Sequence, residues 1–326
     1  MKVHILDDWF DTLRGLECFG RLSGHDVTIW NDHVEDIGTL ASRLTDAEAL
    51  VLFRERTPVQ GDLLERLPKL KLISQRSVFP HVDVPACTNH RVLLCSNMHS
   101  DTPSVATAEL TFALILSAAR QLPQQMASIK AGKWQAGVGQ TLAGRTLGLY
   151  GYGRIAKAVA GYAKAFGMTV TWWGSETGRQ RAVEDGEHVC ASRIEFFKEA
   201  DVVSIHVRMK PETRGIITAS DLLAIKPSGT FVNTSRSRLV EPGALERALQ
   251  AGRPGTIAID VFDVEPLTDP NDPIVHHPAV IATPHIGFVT EDELDQQFAD
   301  IFDQINAYAS GKPINMINPE AWPNQV

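Results

Sequence analysis

The chain has 326 residues, of which 44% are hydrophobic and 21% charged, so it is ordinary for a globular protein and long enough for two domains. Its formal net charge of −8 argues against binding to the phosphate backbone of nucleic acid, because such binding needs a basic surface. The start, MKVHILDDW, is unlike a signal peptide, and the most apolar segment, residues 110–119, is too short to span a bilayer, so no membrane partner is expected.

Residues 1–98 alternate short apolar runs with amphipathic stretches. The runs are rich in β-branched residues, as is typical of strands, and lie at residues 3–6, 27–30, 50–53, 70–74 and 92–95. Helical periodicity appears between them, at residues 37–44 and 63–67. Strands separated by helices predict βαβ units and a parallel sheet.

The middle of the chain begins with one predicted long helix, Ser104 to Leu122, which we expect Pro123 to end. A strand, a glycine turn at Gly151-Tyr152-Gly153, a helix and a second strand follow between residues 146 and 181. In such a unit the diphosphate of a dinucleotide lies on the N-terminus of the helix. Gly151 permits the tight turn, and Gly153 lets the backbone approach the phosphates, so a dinucleotide site is predicted here.

The alternation continues to residue 285, with strands predicted at residues 202–207, 230–234, 256–261 and 280–283. A final helix, residues 290–309, opens with a capping box, and a last strand is predicted at 314–317. The economical arrangement is a discontinuous first domain, residues 1–98 with 289–326, into which a second domain, residues 99–288, is inserted. The predicted fold class is α/β, with two Rossmann-like doubly wound parallel-sheet domains and the active site in the cleft between them.

Three polar side chains stand where predicted strands of the second domain end, namely Arg236, Glu265 and His285. Because parallel strands end at one edge of a sheet, these side chains can meet. An arginine can hold a carboxylate, a histidine can transfer a proton near neutral pH, and a glutamate can orient that histidine. The four scattered cysteines include no CxxC pair and no carboxylate cluster suggests a metal, so we expect free thiols in a cytoplasmic protein without a metal site.

The ordered segments GYGRIA, VNTSRS, DVFDVEP and TPHIG resemble the D-isomer-specific 2-hydroxyacid dehydrogenase family, over nearly the whole chain. The resemblance implies an NAD(P)-dependent oxidoreductase that interconverts a small D-2-hydroxyacid and its 2-keto acid. Arg236 matches the substrate-binding arginine, Glu265 the partner of the histidine, and His285 the acid/base. In the reductive direction, His285 would protonate the keto oxygen while hydride arrives from the nicotinamide.

The same resemblance assigns further residues to the cofactor. Arg154 and Ile155 match positions that line the pyrophosphate, and Thr234 lies on the cofactor side of the cleft. Asp260 matches the residue that bonds the nicotinamide carboxamide.

The choice between NAD(H) and NADP(H) is left open by the end of the second strand. Family spacing places the ribose-binding acid at Gly174, so no carboxylate there repels a 2′-phosphate. Ser175, Arg179 and Arg181 follow and could bind that phosphate, whereas Glu176 opposes it. The alternative is that these arginines are solvated loop charges, and we lean slightly to NADP(H).

The loop after residues 70–74 departs from the family pattern, in which a glycine-containing turn binds the substrate carboxylate. Here Ser77, Val78 and Phe79 would make those contacts, without a glycine. Arg76 could add a charge for a second anionic group on the substrate.

Two substrate classes are candidates within the family, those of phosphoglycerate dehydrogenase and of glyoxylate/hydroxypyruvate reductase. An alternative of another kind is an NAD(H)-sensing, corepressor-like binding protein on the same fold. The resemblance also implies a homodimer, which fits the apolar helix at residues 110–119 and Trp134.

Overall fold

The computed structural model describes residues 1–9, 11–98 and 105–322. Elements before the glycine turn are β1 (Lys2–Ile5), β2 (Asp26–Ile29), α1 (Ile37–Arg43), β3 (Ala49–Val51), α2 (Gly61–Leu64), β4 (Leu72–Arg76), α3 (Val84–Asn89), β5 (Leu93–Asn97), α4 (Ala106–Arg120), α5 (Leu122–Lys130) and β6 (Thr146–Tyr150). Those after it are α6 (Arg154–Ala165), β7 (Thr169–Trp173), α7 (Glu176–Glu184), α8 (Arg193–Glu199), β8 (Val202–Ile205), α9 (Ala219–Ala224), β9 (Thr230–Asn233), α10 (Ala244–Gln250), β10 (Thr256–Ile259), β11 (Val280–Ala282) and α11 (Glu291–Ala309).

The chain forms two compact units, residues 1–102 with 289–326 and residues 103–288. The first unit contains a five-stranded parallel sheet in the order β2-β1-β3-β4-β5. Helix α11 packs on this sheet through fully buried Phe302 and Ile305. Its Gln304 amide donates to the Ser74 hydroxyl on β4 at 2.9 Å, so the last long helix is part of the first unit's core.

The second unit contains a six-stranded parallel sheet in the order β11-β10-β9-β8-β6-β7. Alternate strand residues point to opposite faces of the sheet, as the pleat requires. Leu147 and Leu149 join α4 and α6 in one core, whereas Phe231 and Ile257 join α8, α9 and α10 in another. Helices therefore cover both faces, and the prediction of two parallel-sheet α/β domains is confirmed.

The prediction that Pro123 ends a helix is wrong. Helix α4 ends at Arg120, Gln121 adopts a left-handed conformation, and Pro123 lies in the first turn of α5. A proline is tolerated there because the first N–H groups of a helix have no intrahelical acceptor. The predicted start at Ser104 lies outside the described residues.

The predicted strand at residues 314–317 is also wrong. Only an isolated antiparallel bridge joins Met316 to Cys95, because Asn315 has a φ of 54° and interrupts the extended conformation. Ile317 still donates to the Leu94 carbonyl at 2.8 Å, so the segment is attached to β5 without forming a strand.

Candidate active site

The glycine turn joins β6 to α6 in the second unit. Gly151 has a φ of 113°, and a Cβ there would lie 2.4 Å from the carbonyl oxygen of His206, so no other residue fits. Gly153 caps α6, and a Cβ on it would meet nothing within 4 Å. Space is therefore open beside the first turn of α6, where Arg154 is exposed and Ile155 half-buried.

This arrangement fits the diphosphate of a nicotinamide dinucleotide. The first N–H groups of a helix lack intrahelical acceptors and carry partial positive charge, which favours an anion. Fully buried Ala156 lets α6 pack closely against the sheet behind the turn.

The end of β7 meets the glycine turn at Gly174. Gly174 has a φ of 152°, and a Cβ on it would lie 3.3 Å from the Gly151 nitrogen, so the backbone here favours glycine. The family resemblance places a ribose-binding carboxylate at this position, and this chain has no side chain there. Arg179 donates to the Gly174 carbonyl at 3.2 Å, and its guanidinium lies 4.3 Å from the centre of the Trp173 ring. It also forms an ion pair with Glu176.

The segment after Gly174 is helix α7 and not a loop. Ser175 is its N-cap, and the Ser175 hydroxyl accepts from the Gly178 amide. Ser175 and Arg179 therefore stand on the first turn and a half of a helix whose N-terminus follows the same strand end.

A polar network that the sequence does not reveal supports the glycine turn. The Tyr152 hydroxyl donates to Asp185 at 2.5 Å, and Lys157 lies 2.7 Å from the same carboxylate. Arg181 donates to the Tyr152 carbonyl at 3.2 Å. Arg181 thus binds the turn itself, which distinguishes it from Arg179. Tyr152 and Asp185 are 33 residues apart in sequence, and no sequence motif marks such a contact.

His285 and Glu265 form a pair beyond the ends of β11 and β10. The Nδ1 of His285 and the Oε2 of Glu265 are 2.5 Å apart, and the other carboxylate oxygen accepts from the Phe262 amide at 2.8 Å. Burial raises the pKa of Glu265, but the hydrogen bond and charge of His285, the Phe262 amide and the charge of Arg236 outweigh it and lower that pKa overall. Glu265 is therefore ionised at neutral pH, and the bonded ring nitrogen of His285 is the donor.

Arg236 follows β9 in the same unit. Its carbonyl accepts from the Asn233 side chain at 2.9 Å, and its guanidinium donates to the Ser235 carbonyl at 2.8 Å. The Ser235 hydroxyl donates to the Ile205 carbonyl at 2.7 Å and ties this turn to β8. The structure thus brings Arg236, Glu265 and His285 together at one edge of the sheet, where Arg236 acts electrostatically on Glu265.

Thr234 and Asp260 are more deeply buried than Arg236, Glu265 and His285. Thr234 is buried, and its hydroxyl is 2.7 Å from that of Thr111 on α4. Asp260 has no exposed surface. Burial raises the pKa of its carboxyl, against the hydrogen bonds from Thr283, Ile286 and Gly287.

In the first unit, the loop after β4 adopts a turn without a glycine. Ser77 has a φ of 77° and so takes the conformation for which the family pattern uses glycine. Its amide donates to the Asn97 carbonyl at 3.0 Å, whereas the Val78 and Phe79 amides make no hydrogen bond within the part of the chain that the structure describes. Arg76 pairs with Asp300 at 3.0 Å, which neutralises its charge.

Among residues 1–9, 11–98 and 105–322, no cluster of His, Cys, Asp and Glu could hold a metal ion, and no helix is long and apolar enough to cross a membrane. All four cysteines are free and buried.

Residues 112–287 match the family model described as "D-isomer specific 2-hydroxyacid dehydrogenase, NAD binding domain". The chain belongs to this family. The matched residues are more than half of the chain and include the glycine turn and the His285–Glu265 pair. Membership of this family confirms the predictions of an oxidoreductase and of a nicotinamide cofactor, without deciding between NAD and NADP.

Individual members of the 2-hydroxyacid dehydrogenase family support the assignment. The chain is 34% identical over 312 residues to a glyoxylate reductase of Aeropyrum pernix, covering 91% of this chain and 90% of the relative. It is 34% identical over 269 residues to a D-3-phosphoglycerate dehydrogenase of Bacillus subtilis, covering 81% of this chain but only 50% of the relative. A crystal structure of a phosphoglycerate oxidoreductase from Vibrio cholerae is 45% identical, with a TM-score of 0.90 and coverage of 95% and 99%.

Proposed function

We propose that this protein interconverts a small D-2-hydroxyacid and its 2-keto acid, using NAD(P). The observation that supports this most directly is the 2.5 Å pair of His285 and Glu265, which shares a sheet edge with Arg236 and the glycine turn. An imidazole held by an ionised carboxylate is suited to proton transfer to a carbonyl oxygen.

The proposed roles follow from the charges of the side chains. His285 donates the proton from its free ring nitrogen to the keto oxygen, and Glu265 stabilises the protonated ring. Arg236 holds the substrate carboxylate and polarises the adjacent carbonyl. When bound, the nicotinamide supplies the hydride.

For the substrate carboxylate we propose the amides of Val78 and Phe79, which have no acceptor within the described chain. The Ser77 amide already donates to Asn97, so Ser77 would contribute its hydroxyl. The Arg76–Asp300 pair removes the charge expected for a second anionic group. We therefore favour a monocarboxylate such as glyoxylate or hydroxypyruvate over a phosphorylated acid.

The direct test measures oxidation of NADH and NADPH with glyoxylate, hydroxypyruvate, pyruvate and phosphohydroxypyruvate. We expect turnover with at least one of them and the highest kcat/KM with an unphosphorylated acid. Tight cofactor binding without turnover of any 2-keto acid would instead support the corepressor-like alternative.

For the cofactor we propose NADP(H), with Arg179 and Ser175 at the 2′-phosphate. Trp173 and the Gly174 carbonyl hold the Arg179 guanidinium beside the glycine turn, and Gly174 brings no carboxylate that would repel a phosphate. Glu176 competes for Arg179 through its ion pair, yet its side chain is 80% exposed, so it can move into solvent.

We expect Arg179→Ala to lower kcat/KM for NADPH by about 10- to 100-fold and to change that for NADH little, because a charged hydrogen bond to phosphate contributes about 1.5–3 kcal/mol. Glu176→Gln is expected to raise kcat/KM for NADPH. Glu184→Gln, which removes an exposed carboxylate from the same helix, serves as the control. Equal losses with both cofactors in Arg179→Ala would contradict this assignment.

We also propose a homodimer, with α5 as the contact surface. The apolar stretch of α4 is largely used within the unit, since Phe112, Leu114 and Ile115 are buried. By contrast, α5 buries no residue, and Met126 and Ile129 are more than half exposed. Exposed apolar side chains in one patch are typical of interaction surfaces.

The wild-type protein is expected to sediment as a dimer at micromolar concentration and Ile129→Asp as a monomer, because a charge would be buried in the contact. Ile194→Asp places the same charge at another exposed isoleucine, on α8, and should leave the dimer intact. A monomeric wild-type protein would disprove the proposal.

A further inference from the structure

The side chain of Gln75 bonds the loop after β4 from inside the first unit. Gln75 is the second-last residue of β4 and is 1% exposed. Its amide NH₂ group donates to the Ser77 carbonyl at 3.1 Å and to the Val78 carbonyl at 3.3 Å. The Ser96 hydroxyl on β5 donates to the same Ser77 carbonyl at 2.7 Å. Two consecutive carbonyls of the loop are therefore bonded by buried side chains and point inward.

This bonding determines where the next two N–H groups point. In a trans peptide the carbonyl of one residue and the N–H of the next lie in one plane and point in opposite directions. The Ser77–Val78 and Val78–Phe79 peptides are both trans. The Val78 and Phe79 N–H groups therefore point outward, where no acceptor within the described chain meets them. Successive N–H groups that point outward from a turn favour an anion.

The orientation of the Gln75 amide follows from its surroundings. Its Oε1 is buried and has no donor within the part of the chain that the structure describes. The opposite orientation would place this oxygen against two carbonyl oxygens, none of which can donate. An apolar side chain of the same size would avoid an unpaired buried oxygen, so what the glutamine contributes is its two N–H bonds to the loop.

Helix α11 fixes the strand end that carries Gln75. Gln304 has no exposed surface, and its amide donates to the Gln75 carbonyl at 2.9 Å and to the Ser74 hydroxyl at 2.9 Å. The Ser74 hydroxyl in turn donates to the Ile301 carbonyl at 2.8 Å. The backbone from which Gln75 reaches the loop is thus attached to the core of the first unit.

We propose that Gln75 is a positioning residue for substrate binding, which holds two loop carbonyls inward so that the Val78 and Phe79 N–H groups face the substrate carboxylate. Its own side chain is buried and donates to the loop, not to the substrate. Ser77 has a φ of 77°, which is strained for a residue other than glycine, so the turn needs such bonds to persist. This inference rests on the proposed binding of the carboxylate by the two amides.

The test is Gln75→Met, which keeps the approximate length of the side chain and removes its donors. We expect KM for the best 2-keto acid to rise about tenfold, because hydrogen bonds to a carboxylate are strong and depend on direction. The value of kcat should change less than about threefold, since the carboxylate is bound alike in the ground state and the transition state. The Kd for NADPH should stay within about twofold, because the glycine turn belongs to the other unit.

Oxamate, an unreactive analogue of a 2-keto acid, gives a readout that needs no turnover. With the reduced cofactor bound, oxamate should shift the backbone N–H resonances of Val78 and Phe79 downfield in the wild-type protein, because its carboxylate accepts from them. NMR after selective isotope labelling of valine and phenylalanine measures these shifts. In Gln75→Met the shifts should be smaller and the Kd for oxamate about tenfold higher.

Gln60→Met makes the same substitution at an exposed glutamine, whose amide donates to the His81 carbonyl at 3.0 Å, outside the turn. This control should retain the wild-type KM and oxamate Kd. If Gln75→Met does not fold, Ser96→Ala removes the second bond to the Ser77 carbonyl and should raise both quantities about threefold.

Unchanged KM and oxamate Kd in Gln75→Met, or in Ser96→Ala where that variant replaces it, would overturn the role of Gln75 and leave the proposed function standing. If the Val78 and Phe79 resonances of the wild-type protein do not respond to oxamate, the carboxylate site itself is wrong, and the inference fails with it.

Discussion

Replacing His285 with alanine is expected to lower kcat for the best 2-keto acid by a factor on the order of 10² or more, because general acid catalysis contributes about that much. The affinity for the dinucleotide should change little, because the glycine turn and α6 follow β6, whereas His285 follows β11 at the far edge of the sheet. Steady-state kinetics and a fluorescence titration with NADPH measure the two quantities separately.

Two further variants test whether the loss of rate is specific to His285 and its pair with Glu265. Glu265→Gln keeps the size of the side chain but removes the charge that stabilises a protonated His285, so it should also lower kcat. His276→Ala removes an exposed histidine whose ring bonds only the Pro270 carbonyl among the described residues, and it should leave kcat unchanged. A near-normal rate in His285→Ala would rule out this histidine as the acid.

Substitution by alanine is expected to destabilise the fold at one glycine of the turn and not at the other. Gly151→Ala should lower the free energy of unfolding by about 2–4 kcal/mol, because it combines a disfavoured φ with a clash against fixed backbone. Gly153→Ala should leave that free energy within about 0.5 kcal/mol of the wild type, because its φ of −114° suits any residue and its Cβ would enter open space.

The affinity for the cofactor is the second quantity to measure, and here Gly153→Ala is expected to differ from the wild type. In Gly153→Ala the added methyl group occupies the space through which a diphosphate would reach the N-terminus of α6, so we expect the Kd for NADPH to rise on the order of tenfold. Thermal unfolding and a binding titration on the same samples separate the two effects. Normal NADPH affinity in Gly153→Ala would show that the diphosphate binds elsewhere.

Much of the fold could be predicted because it depends on local patterns. The strand, glycine turn and helix around Gly151 follow from apolar periodicity and from the freedom of glycine, both of which are properties of neighbouring residues. The errors occurred where an alternative local structure was equally consistent with the sequence. Pro123 can end one helix or begin the next, and Asn315 can interrupt an apolar run that otherwise predicts a strand.

The candidate site could likewise be predicted from the sequence only in part. Arg236, Glu265 and His285 could be proposed from the sequence, because each follows a predicted parallel strand and such strands end at one edge. The sequence also indicated that Gly174 leaves the cofactor choice open. It did not show that Arg179 stands on a helix beside Trp173 whereas Arg181 bonds the Tyr152 carbonyl.

What the sequence determined by itself is therefore most of the order of strands and helices and the glycine turn after β6, since these depend on residues close together in the chain; it also suggested the side chains that we propose to react. Only the tertiary structure decided how those side chains are held. The Asp260 carboxylate meets residues 283–287, Arg76 meets Asp300, and Tyr152 meets Asp185. Each contact joins residues that are far apart in sequence, and its free energy depends on burial and distance, which no local pattern specifies.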